Sequence, residues 1–102
     1  MTFPLMALGG AGVVSVASNI VPDRMKQLTQ AALQGEWERA RRLHYELLPL
    51  FKGIFLETNP IPIKAAMAMK GFVEEVYRLP MCPLSPDNKK NLTEILKQLK
   101  IL

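Results

Sequence analysis

The side chains that could do acid–base chemistry are few in this sequence, and none of them forms a recognisable catalytic set. His44 has no serine or cysteine placed to be activated by it, so we interpret it as a helix-surface or partly buried residue. Glu74 and Glu75 are adjacent and diverge in any regular element, which disfavours a carboxylate pair for general acid–base catalysis. The residues alone therefore predict no self-sufficient active site.

Candidates for covalent or metal chemistry are equally sparse. An imine-forming lysine needs a desolvated pocket, so the lysines on predicted helices are interpreted as solvated or ion-paired groups; these are Lys52, Lys64 and Lys70. The glycine-rich residues 9–12 precede a predicted strand, whereas phosphate-binding loops follow one, which favours a tight helix-to-strand turn. Cys82 is the only cysteine, which excludes an internal disulfide framework and a cysteine-rich zinc site. We predict no metal and no cofactor.

Composition and charge indicate a folded globular chain. It has 102 residues, of which 49% are hydrophobic and 22% charged, with a net charge of +4. The basic residues are dispersed along helices that also carry acids, which disfavours nucleic-acid binding. The apolar residues 1–21 are broken by Pro4 and three glycines, so we predict neither a signal peptide nor a membrane span. The single cysteine favours a reducing, cytoplasmic location.

One segment, residues 12–17, has the pattern of a β-strand. Val13, Val14 and Val16 are β-branched, and apolar residues stand on both faces, as in a parallel strand covered by helices. No second strand of this quality follows, so the pattern indicates one part of a larger α/β structure.

The remaining pattern predicts helices. They cover residues 2–8, a segment from Pro22 to the stop at Gly35, residues 36–55, residues 62–70, and a segment capped by Ser85, with an extended loop over residues 79–84. The helix over residues 36–55 has the widest apolar face. We expect Trp37 and Phe51 to anchor its packing, with Phe55 at the far end.

Five segments and one asparagine resemble, in order and spacing, the C-terminal part of the dihydrodipicolinate synthase family. They are PLMALGG at residues 4–10 with GVVSV at residues 12–16 and Asn19, LLPL at residues 47–50, NPIPIK at residues 59–64, and RLPM at residues 78–81. The resemblance covers the whole chain, and NPIPIK is its most specific part. N-acetylneuraminate lyase and the keto-deoxy sugar acid aldolases share the fold but match these segments less well.

The resemblance implies a (β/α)8 barrel followed by three helices, which needs ~250 residues for the barrel alone. This chain would be the C-terminal third of such a protein. Residues 1–34 would supply the end of helix seven, strand eight and helix eight, and residues 35–102 the C-terminal helical domain. Most of this chain would therefore be helical.

The resemblance also implies a function. The family condenses pyruvate with aspartate semialdehyde through a lysine Schiff base, in lysine and diaminopimelate biosynthesis, and oligomerises. Its imine lysine and proton-relay residues lie in earlier strands, so we expect no catalytic residue here and no activity from this chain alone. Val14 would contribute to the pyruvate pocket through its backbone carbonyl, and Asn59 would line the semialdehyde side.

Two alternatives stay open at this point. The chain could be a free-standing helical binding or structural module derived from that domain. It could also be a fragment of a related pyruvate aldolase such as N-acetylneuraminate lyase.

Overall fold

The computed structural model describes residues 1–102, and all of its regular elements are helices. They are α1 (Thr2–Ala7), a 3₁₀ turn (Ala17–Asn19), α2 (Pro22–Leu33), α3 (Trp37–Gly53), α4 (Ile61–Met69) and α5 (Pro86–Gln98). All five predicted helices are confirmed, with ends that shift by one or two residues. Residues 79–84 contain no regular element, which agrees with the predicted loop, and residues 72–78 contain none either. The chain divides into two compact units, Met1–Leu48 and Pro49–Leu102, and the division falls within α3.

The predicted strand over residues 12–17 is wrong for this chain. Residues 11–15 form no regular element, and Ala17 already belongs to the 3₁₀ turn. Val14 is fully exposed and Val13 is also exposed, although the pattern predicted burial on both faces. A strand needs the backbone groups of a neighbouring strand for its hydrogen bonds, and the 102 residues contain none.

The unit Met1–Leu48 is built around α1 and α2, which are in contact. The N–H groups of Gly9 and Gly10 donate to the carbonyls of Met6 and Leu5, and Gly9 has a φ of +103°, so the glycine pair ends α1 as predicted. Pro22 opens α2 at a first helical position. The core of this unit consists of apolar side chains that are almost fully buried: Met6, Ala17, Ile20, Val21, Met25, Leu28, Ala31, Ala32, Ala40 and Leu47.

The unit Pro49–Leu102 places α4 against α5. The Ser85 hydroxyl accepts a hydrogen bond from the Asn88 N–H over 3.4 Å, which confirms the predicted cap of α5. Leu92 and Leu96 on α5 are fully buried, as their helical spacing predicted. The buried apolar side chains of this unit are Leu50, Ile54, Ile61, Ile63, Ala65, Ala66, Leu84, Leu92, Leu96 and Ile101.

Two of the three aromatic anchors expected on α3 are wrong. Trp37 is 45% exposed and Phe55 is 59% exposed, and Phe55 lies beyond the end of the helix at Gly53. Phe51 is half-buried. A buried stripe runs through Leu47 and Leu50 to Ile54, just past the end of the helix, and Leu50 and Ile54 each precede an expected anchor by one residue.

Candidate functional site

The segment that carries Val14 lies on the surface of the unit Met1–Leu48. The Val14 side chain is fully exposed, and its carbonyl accepts no backbone hydrogen bond. Past this residue the chain is fixed by a polar turn: the Ser18 hydroxyl donates to the Ser15 carbonyl at 2.7 Å, and the Ser18 N–H donates to the Ser15 hydroxyl at 3.1 Å. Val14 can therefore offer a ligand an unoccupied backbone carbonyl from a segment anchored at its C-terminal end.

A cavity of about 330 Å³ lies beside this segment. Its lining is mostly small and apolar, with Ser15, Ser18, Lys26 and Thr29 as its polar members. The Thr29 hydroxyl donates to the Met25 and Lys26 carbonyls at 3.1 and 3.0 Å, so it is already engaged. No carboxylate, histidine or cysteine lines the cavity, and Lys26 is the one ionisable side chain in its lining.

Asn59 lies in a tight turn between α3 and α4. The Thr58 carbonyl accepts a hydrogen bond from the Ile61 N–H at 2.9 Å, so Asn59 and Pro60 occupy the two central positions of this turn. The peptide bond between them is cis. Asn59 is exposed, whereas Ile61, the first residue of α4, is buried. The turn therefore leaves the Asn59 side chain exposed at the surface of this unit.

Glu57 precedes this turn and ties it to the start of α5. One carboxylate oxygen, Oε2, accepts hydrogen bonds from the Ser85 N–H at 3.0 Å and from the Asn88 side-chain amide at 2.9 Å. The bond from Asn88 and, to a smaller extent, the bond from Ser85 lower the pKa of the Glu57 carboxyl. Sequence reasoning missed Glu57 because its partners lie 28 and 31 residues away. The predicted cap at Ser85 was the only signal nearby.

A second polar cluster holds the loop between α4 and α5. Lys64 donates from Nζ to the Val76 carbonyl at 2.7 Å, and the same nitrogen lies 5.9 Å from the centre of the Tyr77 ring. Glu75 bonds to the Lys89 ammonium through both carboxylate oxygens, at 2.8 and 3.1 Å. Lys64 is thus bonded to the backbone of this loop in the folded chain.

A cavity of about 430 Å³ lies next to the Asn59 turn. It is lined by Glu57, Thr58, Ile61, Pro80, Met81 and Cys82. Cys82 is exposed and forms no disulfide. The cavity combines a carboxylate, a hydroxyl and a thiol with apolar walls, and it contains no histidine that could activate the thiol.

His44 lies half-buried on α3 with its ring 5.7 Å from that of Phe3. Burial lowers the pKa of its imidazole, and the positive charge of the chain's N-terminus lowers it further. Its ring contacts are aromatic, which agrees with the prediction of a partly buried helical residue.

The two predicted ligand-binding residues lie in different compact units, Val14 in Met1–Leu48 and Asn59 in Pro49–Leu102. No group of three or more histidine, cysteine, aspartate or glutamate residues is placed to hold a metal ion. None of the helices has both the length and the apolar character needed to cross a membrane.

Comparison with known proteins identifies the family. The model of the dihydrodipicolinate synthetase family matches residues 1–99. The chain belongs to this family, whose members are lyases built on a TIM barrel.

Individual relatives agree with this assignment. The 4-hydroxy-tetrahydrodipicolinate synthase of Hydrogenobaculum sp. (strain Y04AAS1) is 47% identical over 102 residues, which is 100% of this chain and 35% of the relative. That of Aquifex aeolicus (strain VF5) is 51% identical over 98 residues, 96% of this chain and 33% of the relative. The chain therefore spans about a third of the length of the curated relatives it matches.

Solved structures give the same result. The crystal structure of the Aquifex aeolicus dihydrodipicolinate synthase superposes with a TM-score of 0.95 at 49% identity, covering 97% of this chain and 34% of that one. The Thermotoga maritima synthase superposes with a TM-score of 0.96 at 44% identity, covering 99% and 34%. Nearly every residue of this chain thus has a structural counterpart in these enzymes.

Proposed function

We propose that this chain is the C-terminal part of a 4-hydroxy-tetrahydrodipicolinate synthase, which condenses pyruvate with aspartate semialdehyde. The observation that carries the proposal is the superposition on synthase structures at TM-scores of 0.95 and 0.96, with 49% and 44% identity, over about a third of their length. In this proposal residues 1–34 belong to the end of the barrel and residues 35–102 to the C-terminal helical domain. The enzyme is cytoplasmic and homo-oligomeric.

The proposed roles of its residues are those of binding, not of bond-making. Val14 lines the pyruvate pocket through its unoccupied backbone carbonyl, and Asn59 lines the semialdehyde side from its exposed turn. The family resemblance assigns the imine-forming lysine to earlier strands, in the other two thirds of the enzyme, and Lys64 donates to the Val76 carbonyl. The chain by itself is therefore inactive in the condensation.

Complementation tests the proposal. The chain is co-expressed with the part of the Aquifex aeolicus synthase that lies outside the matched segment, and pyruvate and aspartate semialdehyde are supplied. We expect condensation, and a pyruvate adduct trapped by borohydride on the Aquifex segment, only when both polypeptides are present. Asn59→Ala should weaken the activity, whereas Gln30→Lys on the exposed surface of α2 should leave it unchanged.

Three outcomes would overturn the proposal. The first is turnover and a borohydride-trapped adduct on Lys52, Lys64 or Lys70 of the chain alone. The second is a folded chain that forms no complex with the Aquifex segment, which would favour a free-standing module. The third is activity only when the chain is combined with the corresponding part of an N-acetylneuraminate lyase and not with that of the synthase, which would assign the chain to the related aldolase.

A further inference from the structure

We propose that Glu57 is a positioning residue, which acts through Asn59 by fixing the turn over residues 58–61 to the start of α5. This inference rests on the proposed function, because it assigns Asn59 to the semialdehyde side of the site. Glu57 itself does not touch the substrate in this proposal.

The hydrogen bonds of Glu57 connect the turn to α5, which is fixed in the core. Glu57 accepts hydrogen bonds from Ser85 and Asn88, which are the cap and the first turn of α5. That helix is held in the core by Leu92 and Leu96, both fully buried. A carboxylate fixed to such a helix transfers the position of the helix to the turn that follows Glu57 in the chain.

Glu57 is also the only anchor available on its side of the turn. The last buried residue before the turn is Ile54, and the side chains of Phe55 and Leu56 are exposed. On the other side, α4 begins at Ile61 with buried residues. Of residues 55–60, Glu57 is the one whose side chain bonds to another element. Asn59 therefore lies between one anchor made by packing and one made by Glu57.

The hydrogen bonds of Glu57 fit a positioning role better than proton transfer. Both bonds end on Oε2, and they lower the pKa of the carboxyl, so the group stays ionised near neutral pH. A general base must take up the proton that it removes, and both donors disfavour the protonated form. The effect of Glu57 on the reaction should therefore pass through the geometry of Asn59.

The first test uses the chain as it exists and does not depend on activity. Proton–nitrogen NMR spectra are recorded for the wild type, Glu57→Ala, Glu57→Gln and the control Glu94→Ala, which lies exposed on α5. Glu57→Ala should shift the Ser85 amide and shift or broaden the Asn59 side-chain amide. Glu57→Gln, which keeps one acceptor oxygen, should give smaller changes, and Glu94→Ala should leave both signals in place.

An Asn59 signal that stays unchanged while the Ser85 signal shifts would overturn the proposal. If Glu57→Ala loses its helical circular dichroism, Asn88→Ala replaces it, since that change removes one of the two bonds and leaves the carboxylate in place. An unchanged Asn59 signal in Asn88→Ala would then count against the proposal in the same way.

The second test uses the complemented enzyme and separates positioning from general stability. Glu57→Ala should lower kcat/KM for aspartate semialdehyde by about 10-fold to 100-fold, with KM for pyruvate unchanged. In an Asn59→Ala background the same change should add little, because its effect passes through Asn59. Additive losses, or an equal rise in KM for pyruvate, would overturn the positioning role. An inactive wild-type complex would count against the proposed function alone, because the NMR test measures the link between Glu57 and Asn59 without any activity.

Discussion

The Tyr77 hydroxyl donates a hydrogen bond to the Glu75 carboxylate over 3.2 Å, and the same carboxylate is bonded to Lys89. Burial of the phenol and then the negative charge of Glu75 raise the pKa of Tyr77 to about 12. The folded chain thus prefers the neutral phenol. Stability from this preference is complete below the ordinary pKa of 10.0 and is lost as the pH rises towards 12.

Glu75→Gln should lower the pKa of Tyr77, because it removes the charge that opposes ionisation. The measurement is the tyrosinate absorbance during alkaline titration in a Tyr45→Phe background, which leaves Tyr77 as the only tyrosine. Glu74→Gln is the matched control, because the Glu74 carboxylate does not contribute to the raised pKa of Tyr77. An ordinary tyrosine pKa in the wild type, with native circular dichroism retained, would contradict the hydrogen bond between Tyr77 and Glu75.

The buried stripe of α3 predicts a contrast between two large apolar residues. Leu50→Ala should lower the free energy of unfolding by about 2–5 kcal/mol, since Leu50 is fully buried and its truncation leaves a cavity. Phe55→Ala should change it far less, because its ring is 59% exposed. Urea unfolding followed by circular dichroism gives both values, with Arg41→Ala on the outer face as control. Equal midpoints for Leu50→Ala and the wild type would place the core elsewhere.

Local signals in the sequence predicted the helices well. They did not predict strand pairing or burial, because both depend on residues that are far apart in the chain. Pro22 and Ser85 mark helix starts through the chain's own neighbouring backbone, so their effect is visible in sequence. Val14 has a strong preference for a strand, but a strand forms only beside another strand. Phe55 satisfies the helical spacing and yet follows the last residue of α3.

The candidate site shows the same limit. Asn59 stands out in sequence through its motif, because NPIPIK is contiguous. Glu57 does not stand out, because its function in the fold depends on Ser85 and Asn88. A carboxylate that bonds 28 residues away cannot be told from a solvated one until the two segments are placed.

The cap of α5 is a separate source of stability that substitution can measure. Ser85→Ala should lower the free energy of unfolding by at most about 1 kcal/mol. The loss is small because the hydrogen bond that the Ser85 hydroxyl accepts from the Asn88 N–H is long, at 3.4 Å. Ser85→Thr keeps an acceptor and should restore most of the loss. The Glu57 bond to the Ser85 N–H is a backbone contact and is expected to survive in both variants. A threonine variant as unstable as the alanine variant would indicate that the hydroxyl does not cap the helix.

The exposed apolar residues of the unit Met1–Leu48 predict self-association of the chain. Leu5 on α1 and Leu8 just after this helix are exposed, and Val14 is fully exposed. Together with the unpaired backbone of the Val14 segment, these side chains present a surface that favours association. Sedimentation velocity should show a mass that rises with protein concentration, and a dye that binds apolar surface should fluoresce with the wild type.

The substitution Leu8→Lys should shift this equilibrium towards the monomer, because it places a charge on the apolar surface beside α1 and adds no contact to the core. Gln30→Lys adds the same charge on the exposed side of α2 and should leave the association unchanged, which separates loss of the apolar contact from simple charge repulsion. A sharp monomeric boundary for the wild type at all concentrations, without dye fluorescence, would contradict the prediction. An equal response to both substitutions would attribute the association to net charge and not to Leu8.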